Sequence, residues 1–424
     1  MLEVGIALAV FLGLLFIGVP VSFAIMAGSI AGLFAIGSLP MEALSQQAFA
    51  PTTEYSMLAI PFFILTADLL FSGKLGAQVI SLATRLVGRF RGGVGMTSVV
   101  THGIFSGVSG SAVADATGLG KVMIPWTKKL GFPASYPAAV NASASVLGII
   151  LPPSIPMILF SAASGVSVAA IFNAGLIPGL IMLAILMVVC WFVAWRNRYP
   201  RVRAKLTLKK LLIDLLFATP AILIPVVLIR VFLFTGMATV TEVSVLTVIY
   251  AVLIRVTMYR DLSWKAFVRS SVESAAAMAV VMVLIMFSSA LSWLMTIQEA
   301  PQGLANWMIA SVDSRELIIL LIVILLLITG MFLDISPAIL LLTPVLLPLA
   351  TAIEMDHIHL GMIIVATLAL GLYSPPVGTT LYISAGIGRV SMGAVIKELV
   401  PFYGAMLLFI LAVAYLPGWM FIPH

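Results

Sequence analysis

The sequence predicts an all-α polytopic membrane protein made of two inverted-topology repeats, each holding a re-entrant helical hairpin and a broken helix. Three observations predict it. Hydrophobic residues are 62% of 424 and charged residues 9%, with a mean hydropathy of +1.21, so a water-soluble globule of this size would lack a polar coat. A Gly/Pro pattern occurs twice at a fixed separation: Pro125 and Pro348, Gly148 and Gly371, Pro152 and Pro375, Pro153 and Pro376, and Gly165 and Gly388 are each 223 positions apart. Basic and acidic residues flank the two copies with opposite sign, which implies that the copies enter the membrane from opposite sides.

Charge sets the order of the elements. A spanning helix needs about 20 apolar residues, and scaffold spans are expected over 2–72. The segment 94–129 has Arg85, Arg89 and Arg91 at one end and Lys128 and Lys129 at the other. Both ends therefore face the cytoplasm, and the stretch is a hairpin with its tip at Ser109-Gly110-Ser111. A broken helix follows over about 134–170, and the apolar run 171–195 completes the first repeat, 1–195. Arg196 to Lys210 carries seven basic residues, so 196–210 reads as a cytoplasmic linker. The second repeat, 211–424, reads as scaffold spans 211–297, a hairpin over about 316–352 and a broken helix over about 358–388. A terminal span covers 393–420. Glu299, Asp313, Glu316, Glu354 and Asp356 bracket the second hairpin, which enters from outside. Three spans before each hairpin then place the N-terminus in the periplasm.

The tips and breaks point to ion chemistry. Where two helix ends meet, free carbonyls suit Na⁺ and free N–H groups suit a carboxylate. Each Pro-Pro pair removes amide donors and leaves carbonyls without helical partners. The first candidate Na⁺ site is Gly107, Ser109, Ser111, Asn141, Gly148 and Pro152; the second is Gly330, Asp334, Gly371, Pro375, Gly378 and Thr379. Simple proline kinking and close small-residue packing around Asn141 are the alternatives, and both stay open here. Asp334 stands in the second copy where Ser111 stands in the first, and an ionisable group at membrane depth is a functional candidate by default. Asp115 fits a site role and a helix-start carboxylate equally. His102, His357 and His359 make no ligand-spaced pair with carboxylates, so Na⁺ is the only metal expected.

Several classes are excluded. There is no G-x-x-x-x-G-K-[ST], no His-Glu-x-x-His and no pair of mid-membrane aspartates in repeat positions, which argues against ATP use and against an intramembrane enzyme. Basic residues sit at the ends of apolar runs rather than in patches, so nucleic acid is not a partner; the lipid bilayer is. Cys190 has no second cysteine to pair with.

Together, Ser109-Gly110-Ser111-Ala112-Val113-Ala114-Asp115, Leu151-Pro152-Pro153-Ser154, the Gly236 to Glu242 turn, Asp334-Ile335-Ser336-Pro337 and Ser374-Pro375-Pro376-Val377-Gly378-Thr379 resemble the large membrane subunit of tripartite ATP-independent periplasmic (TRAP) transporters. The resemblance covers nearly the whole chain. It implies a Na⁺-driven elevator transporter of the ion-transporter superfamily in the bacterial inner membrane. It also implies a small four-helix membrane subunit, expected as a separate polypeptide, and a periplasmic substrate-binding protein. The implied substrates are organic acids, chiefly sialic acids and C4-dicarboxylates. Ser111, Ser154, Ser164 and Asp334 are the side chains expected to meet the acid. A stand-alone carrier of the same architecture is the alternative.

Overall fold

The computed structural model describes residues 2–71, 74–199, 231–232, 235–312 and 314–416, with Leu215 and Val227 besides. Among these residues every regular element is helical. Six of the described helices are long and apolar enough to cross a bilayer: Val168–Arg196, Val240–Tyr259, Trp264–Ile297, Arg315–Phe332, Ile335–Ala352 and Met392–Tyr415. Two bent pairs add to them: Met41–Thr53 with Tyr55–Leu70 at 57°, and Ser135–Ile150 with Ile155–Ser164 at 43°.

The helices begin where the sequence offers a cap. Ser263, Ser314 and Asp356 accept from the first-turn amides of Ala266, Leu317 and Ile358 at 3.2, 3.3 and 2.8 Å. Thr239 and Glu242 form a full capping box, in which the Thr239 amide donates to the Glu242 carboxylate at 2.7 Å.

Each half contains a hairpin and a broken helix. The first hairpin is Gly93–Ser109 returning through Ala112–Gly118 and Gly120–Lys129; the second is Arg315–Phe332 returning through Ile335–Ala352. The broken helices are Ser135–Ile150 with Ile155–Ser164, and His357–Gly371 with Thr379–Gly388. Both Pro-Pro bonds, Pro152-Pro153 and Pro375-Pro376, are cis. Residues 136–151 are buried without interruption, and so are residues 359–374. Those runs are again offset by 223. A helix buried on every side lies inside the bundle rather than against lipid, so the two breaks sit at the core. Leu2–Phe16 and Val21–Ile36 pack together and onto Trp264–Ile297, while Val240–Ile254 packs on Ala59–Phe71. Trp264–Ile297 also packs on Ile335–Ala352, and Ala59–Phe71 on Gly93–Ser109.

Two helices stand where the sequence suggested only connections: Lys74–Val87 and Ala300–Ser311, each just before a hairpin. They have 14 and 12 residues, too few and too polar to register in a search for apolar runs of about 20. Lys74–Val87 packs along Gly93–Ser109. The halves also differ. The Met41–Leu70 pair bends at Pro51 to Glu54, whereas Trp264–Ile297 is a continuous 34-residue helix. Most of 196–210, and the span expected near 211–234, lie outside the described residues.

The corner after Val240–Ile254 is held by charge. Arg255, only 4% exposed, bonds Asp261 Oδ1 at 3.0 Å and the Leu69 carbonyl at 3.1 Å. The Lys74 amide donates to Asp261 Oδ2 at 2.9 Å. This knot ties the ends of Val240–Ile254 and Ala59–Phe71 to the start of the Lys74–Val87 helix.

Candidate functional site

The two hairpin tips meet at one cavity of ≈170 Å³. Gly110 to Val113 line it from the first tip and Asp334 to Ser336 from the second; Ile155 and Pro156 come from the first break, Leu372 from the second, Ile64 from Ala59–Phe71, and Ala277 and Val281 from Trp264–Ile297. The tips turn on local chemistry. Gly110 sits at φ +63, the left-handed region that glycine reaches without penalty. Ser111 then caps the return helix by accepting from the Ala114 amide at 3.4 Å. At the second tip the Asp334 carboxylate accepts from the Ile335 amide at 2.6 Å. The helices beginning at Ile155 and Ile335 both start at this cavity, so the positive ends of two helix dipoles face it, although the Ile155, Met157 and Ile335 amides are already bonded to the Gly110 carbonyl, Ser154 and Asp334.

Beside the cavity, carbonyl ends converge. In the first half, Gly93–Ser109 ends against Leu147–Ile150, and the Ile155 amide donates to the Gly110 carbonyl at 3.1 Å. Ser109 and Gly148 lie close together, and Gly107 is buried one turn back. In the second half, Arg315–Phe332 ends against His357–Gly371, and the Val377 amide donates to the Met331 carbonyl at 3.3 Å. Gly330 and Gly371 are in direct backbone contact there. Gly378 takes φ +51 to start the helix whose first residue is Thr379. Pro152 and Pro375 are half-buried within the breaks.

The two breaks are joined to each other. Thr380 Oγ1 lies 3.1 Å from the Ala142 carbonyl and 3.0 Å from the Leu372 carbonyl, and Asn141 Nδ2 donates to Ser384 Oγ at 2.8 Å and to the Ala116 carbonyl at 3.0 Å. The crossing of Ser135–Ala144 with Thr379–Gly388 is thus pinned by buried hydrogen bonds.

The family model for the DctM component of tripartite ATP-independent periplasmic transporters matches residues 8–419. This chain belongs to that family. It is 46% identical to the uncharacterized protein y4mL of Sinorhizobium fredii, over 97% of this chain and 98% of that one. It is 30% identical to the sialic acid TRAP transporter large permease SiaM of Vibrio cholerae, over 96% and 95%. The crystal structure of the YdaH transporter of Alcanivorax borkumensis superposes with a TM-score of 0.62 at 15% identity, covering 92% of this chain and 89% of that chain, which is a likeness of fold. The chain is therefore a multi-pass TRAP permease subunit of the bacterial inner membrane, not an enzyme. Large permeases of this family work with a periplasmic binding protein and a small membrane subunit.

Within this TRAP permease, the expected substrate residues separate. Ser111 and Asp334 line the cavity. Ser154 is fully buried, donating to the Ile149 carbonyl at 2.6 Å and capping Met157 at 3.3 Å, so its hydroxyl holds the break in shape. Ser164 lies at the far end of Ile155–Ser164, where it accepts from the Val166 amide at 3.3 Å. A helix of ten residues is about 15 Å long, which removes Ser164 from the cavity. Two residues gain a place that the sequence did not suggest: Thr380 and Ser384 bridge the breaks. Asp115, left open by the sequence, is fully buried against Gly148. Spacing gives no sign of Thr380 and Ser384, because their partners lie 238 and 243 residues away.

Proposed function

We propose that this chain is the Na⁺-coupled membrane subunit of an importer for an organic acid of the sialic acid or C4-dicarboxylate class. A periplasmic binding protein delivers the acid, and a small four-helix membrane subunit widens the scaffold. The convergence of Ser111 and Asp334 on one cavity, with two helix starts facing it and paired helix ends beside it, supports the reading. The positive helix ends attract the acid's carboxylate, the Ser111 hydroxyl can donate to it, and carbonyl ends offer oxygen ligands to Na⁺. The cation beside the anion offsets charge that low dielectric would otherwise penalise. On this reading the N-terminus is periplasmic, and the two hairpins move with the two broken helices against the scaffold as an elevator.

Reconstitution with the partner subunits tests it. Labelled sialic acid and C4-dicarboxylates are offered to vesicles with an inward Na⁺ gradient or with K⁺ alone. Uptake is expected only with Na⁺, with a Hill coefficient above one. Equal uptake in K⁺, or uptake driven by a proton gradient alone, overturns Na⁺ coupling; uptake without any binding protein favours a stand-alone symporter.

A further inference from the structure

A second cavity, of ≈380 Å³, lies where the end of Val168–Arg196 meets the start of Met392–Tyr415. Arg196 and Asn197 line it from the first of these segments and Lys397 and Glu398 from the second, with Phe192 and Val400 among its apolar residues. The order along each helix is informative. In Val168–Arg196 the apolar Phe192 precedes the charged Arg196, and in Met392–Tyr415 the charged Lys397 and Glu398 precede the apolar Val400. Because the end of one helix meets the start of the other, both place their charges at the same end of the cavity and their apolar side chains a turn further into the bundle. The seven basic residues from Arg196 to Lys210 put the charged end at the cytoplasmic surface. The cavity is thus divided by depth as a lipid leaflet is.

Its charges are uncommitted. Arg196 and Lys397 are exposed, and among the described residues neither enters an ion pair. Glu398 is half-buried. Tyr199 Oη donates to its Oε1 at 3.5 Å while accepting from Asn197 Nδ2 at 3.2 Å, and the long contact leaves most of the carboxylate's accepting capacity free. Phe192 and Val400 are 40% and 60% exposed, so the apolar level faces hydrocarbon. A guanidinium beside an ammonium suits a phosphate, the first with paired donors and the second as a point charge. The carboxylate next to them disfavours a purely anionic group and suits one that carries an ammonium as well. The chain's own next segment, with Arg201, Arg203 and Lys205, is basic and a poor match for two cations.

We propose that this cavity binds phosphatidylethanolamine from the cytoplasmic leaflet. Arg196 and Lys397 take the phosphate, Glu398 takes the primary ammonium, and an acyl chain runs over Phe192 and Val400. Val168–Arg196 packs on Gly93–Ser109 and Leu147–Ile150, and Met392–Tyr415 packs on Ser135–Ala144 and His357–Gly371. A lipid that joins the two helices therefore braces the elements behind both breaks.

The test reads lipid binding. The purified full chain with its small membrane subunit, stripped of lipid in mild detergent, is titrated with phosphatidylethanolamine, phosphatidylglycerol, phosphatidylcholine or the chain-free headgroup glycerophosphoethanolamine, and thermal stability is followed. Phosphatidylethanolamine is expected to stabilise at the lowest concentration and the chain-free headgroup not at all. Arg196→Gln with Lys397→Gln is expected to raise the half-saturating concentration about tenfold or more. Glu398→Gln is expected to erase the preference over phosphatidylcholine, whose trimethylated ammonium donates no hydrogen bond. Val400→Trp keeps every charge and fills the apolar level, so it carries the measurement should the double variant fail to fold. Unchanged midpoints in these variants overturn the proposal, and so does a wild-type protein that phosphatidylethanolamine does not stabilise. Stabilisation by the chain-free headgroup overturns it in favour of a soluble phosphate ester, and tighter binding of phosphatidylglycerol overturns the role of Glu398.

Discussion

Gly330 and Gly371 face each other backbone to backbone, so closely that a side-chain carbon on Gly371 would overlap the Gly330 carbonyl. The contact joins the outgoing arm of the second hairpin to the end of the second broken helix, at the level of the candidate ion site.

The first prediction follows from its asymmetry. A methyl on Gly371 meets only backbone, whereas one on Gly330 meets first the flexible end of Leu368 at 3.1 Å. Gly371→Ala should cost at least about 1–3 kcal/mol, the usual range for overpacking, and abolish uptake; Gly330→Ala should be milder. Gly404→Ala, where nothing lies within 4 Å, should be neutral or gain up to about 1 kcal/mol. Melting curves of the three variants check the order, and equal losses at Gly330 and Gly371 would contradict it.

Asp334 combines a structural and a transport role, and the two separate in measurement. Removing its cap on Ile335 should cost about 1 kcal/mol, too little to unfold the chain. Uptake should nevertheless fall by at least tenfold in Asp334→Ala. Wild-type uptake by this variant in vesicles would remove the carboxylate from the site.

The corner at Arg255 gives a pH signature. Burial pushes the Asp261 carboxyl upward, but the Lys74 amide and the Arg255 guanidinium outweigh it and hold the group below its ordinary value. A carboxyl lowered in the folded state contributes fully above its unfolded value of about 3.9 and loses that contribution as pH falls through the folded value. Asp261→Asn should therefore melt earlier than wild type at pH 7, with the gap closing below about pH 4. A gap that is the same at both pH values would count against the knot.

The proposed elevator motion predicts changing neighbours. Val113 at the first tip and Val281 in Trp264–Ile297 line the same cavity, so cysteines placed at both should bridge in one state and stop uptake until reduced. Continued transport through the bridge would leave only local gating.

Much of this arrangement was legible in the sequence, for a physical reason. Glycine and proline announce backbone geometry directly, so Gly110, Gly371 and the two Pro-Pro breaks reveal where helices stop. Small polar side chains announce nothing comparable. Asn141, Ser384 and Thr380 look like ordinary close-packing residues until the fold brings their partners to them. Ser154 and Ser164 have the same chemistry as Ser111, yet only Ser111 faces the cavity, because one sits inside a break and the other at the far end of a helix. Asp115 was ambiguous because a carboxylate near a helix start is common at surfaces, and only burial makes it unusual.

The bonds that pin the two breaks together have a consequence for how the chain is made. Asn141 donates to Ser384, which lies 243 residues further along, and the Ala142 carbonyl accepts from Thr380, 238 residues further along. During synthesis the first half therefore enters the bilayer before these partners exist, with only the Ala116 carbonyl for Asn141 and the Ser145 hydroxyl for the Ala142 carbonyl, and at roughly 5–20 residues per second the ribosome needs about 12–50 s to supply the rest. In hydrocarbon such groups seek whatever hydrogen-bonding company is at hand. The first half therefore takes its final polar contacts only after the second half has been made, and a chain ending before Thr380 lacks both cross-links.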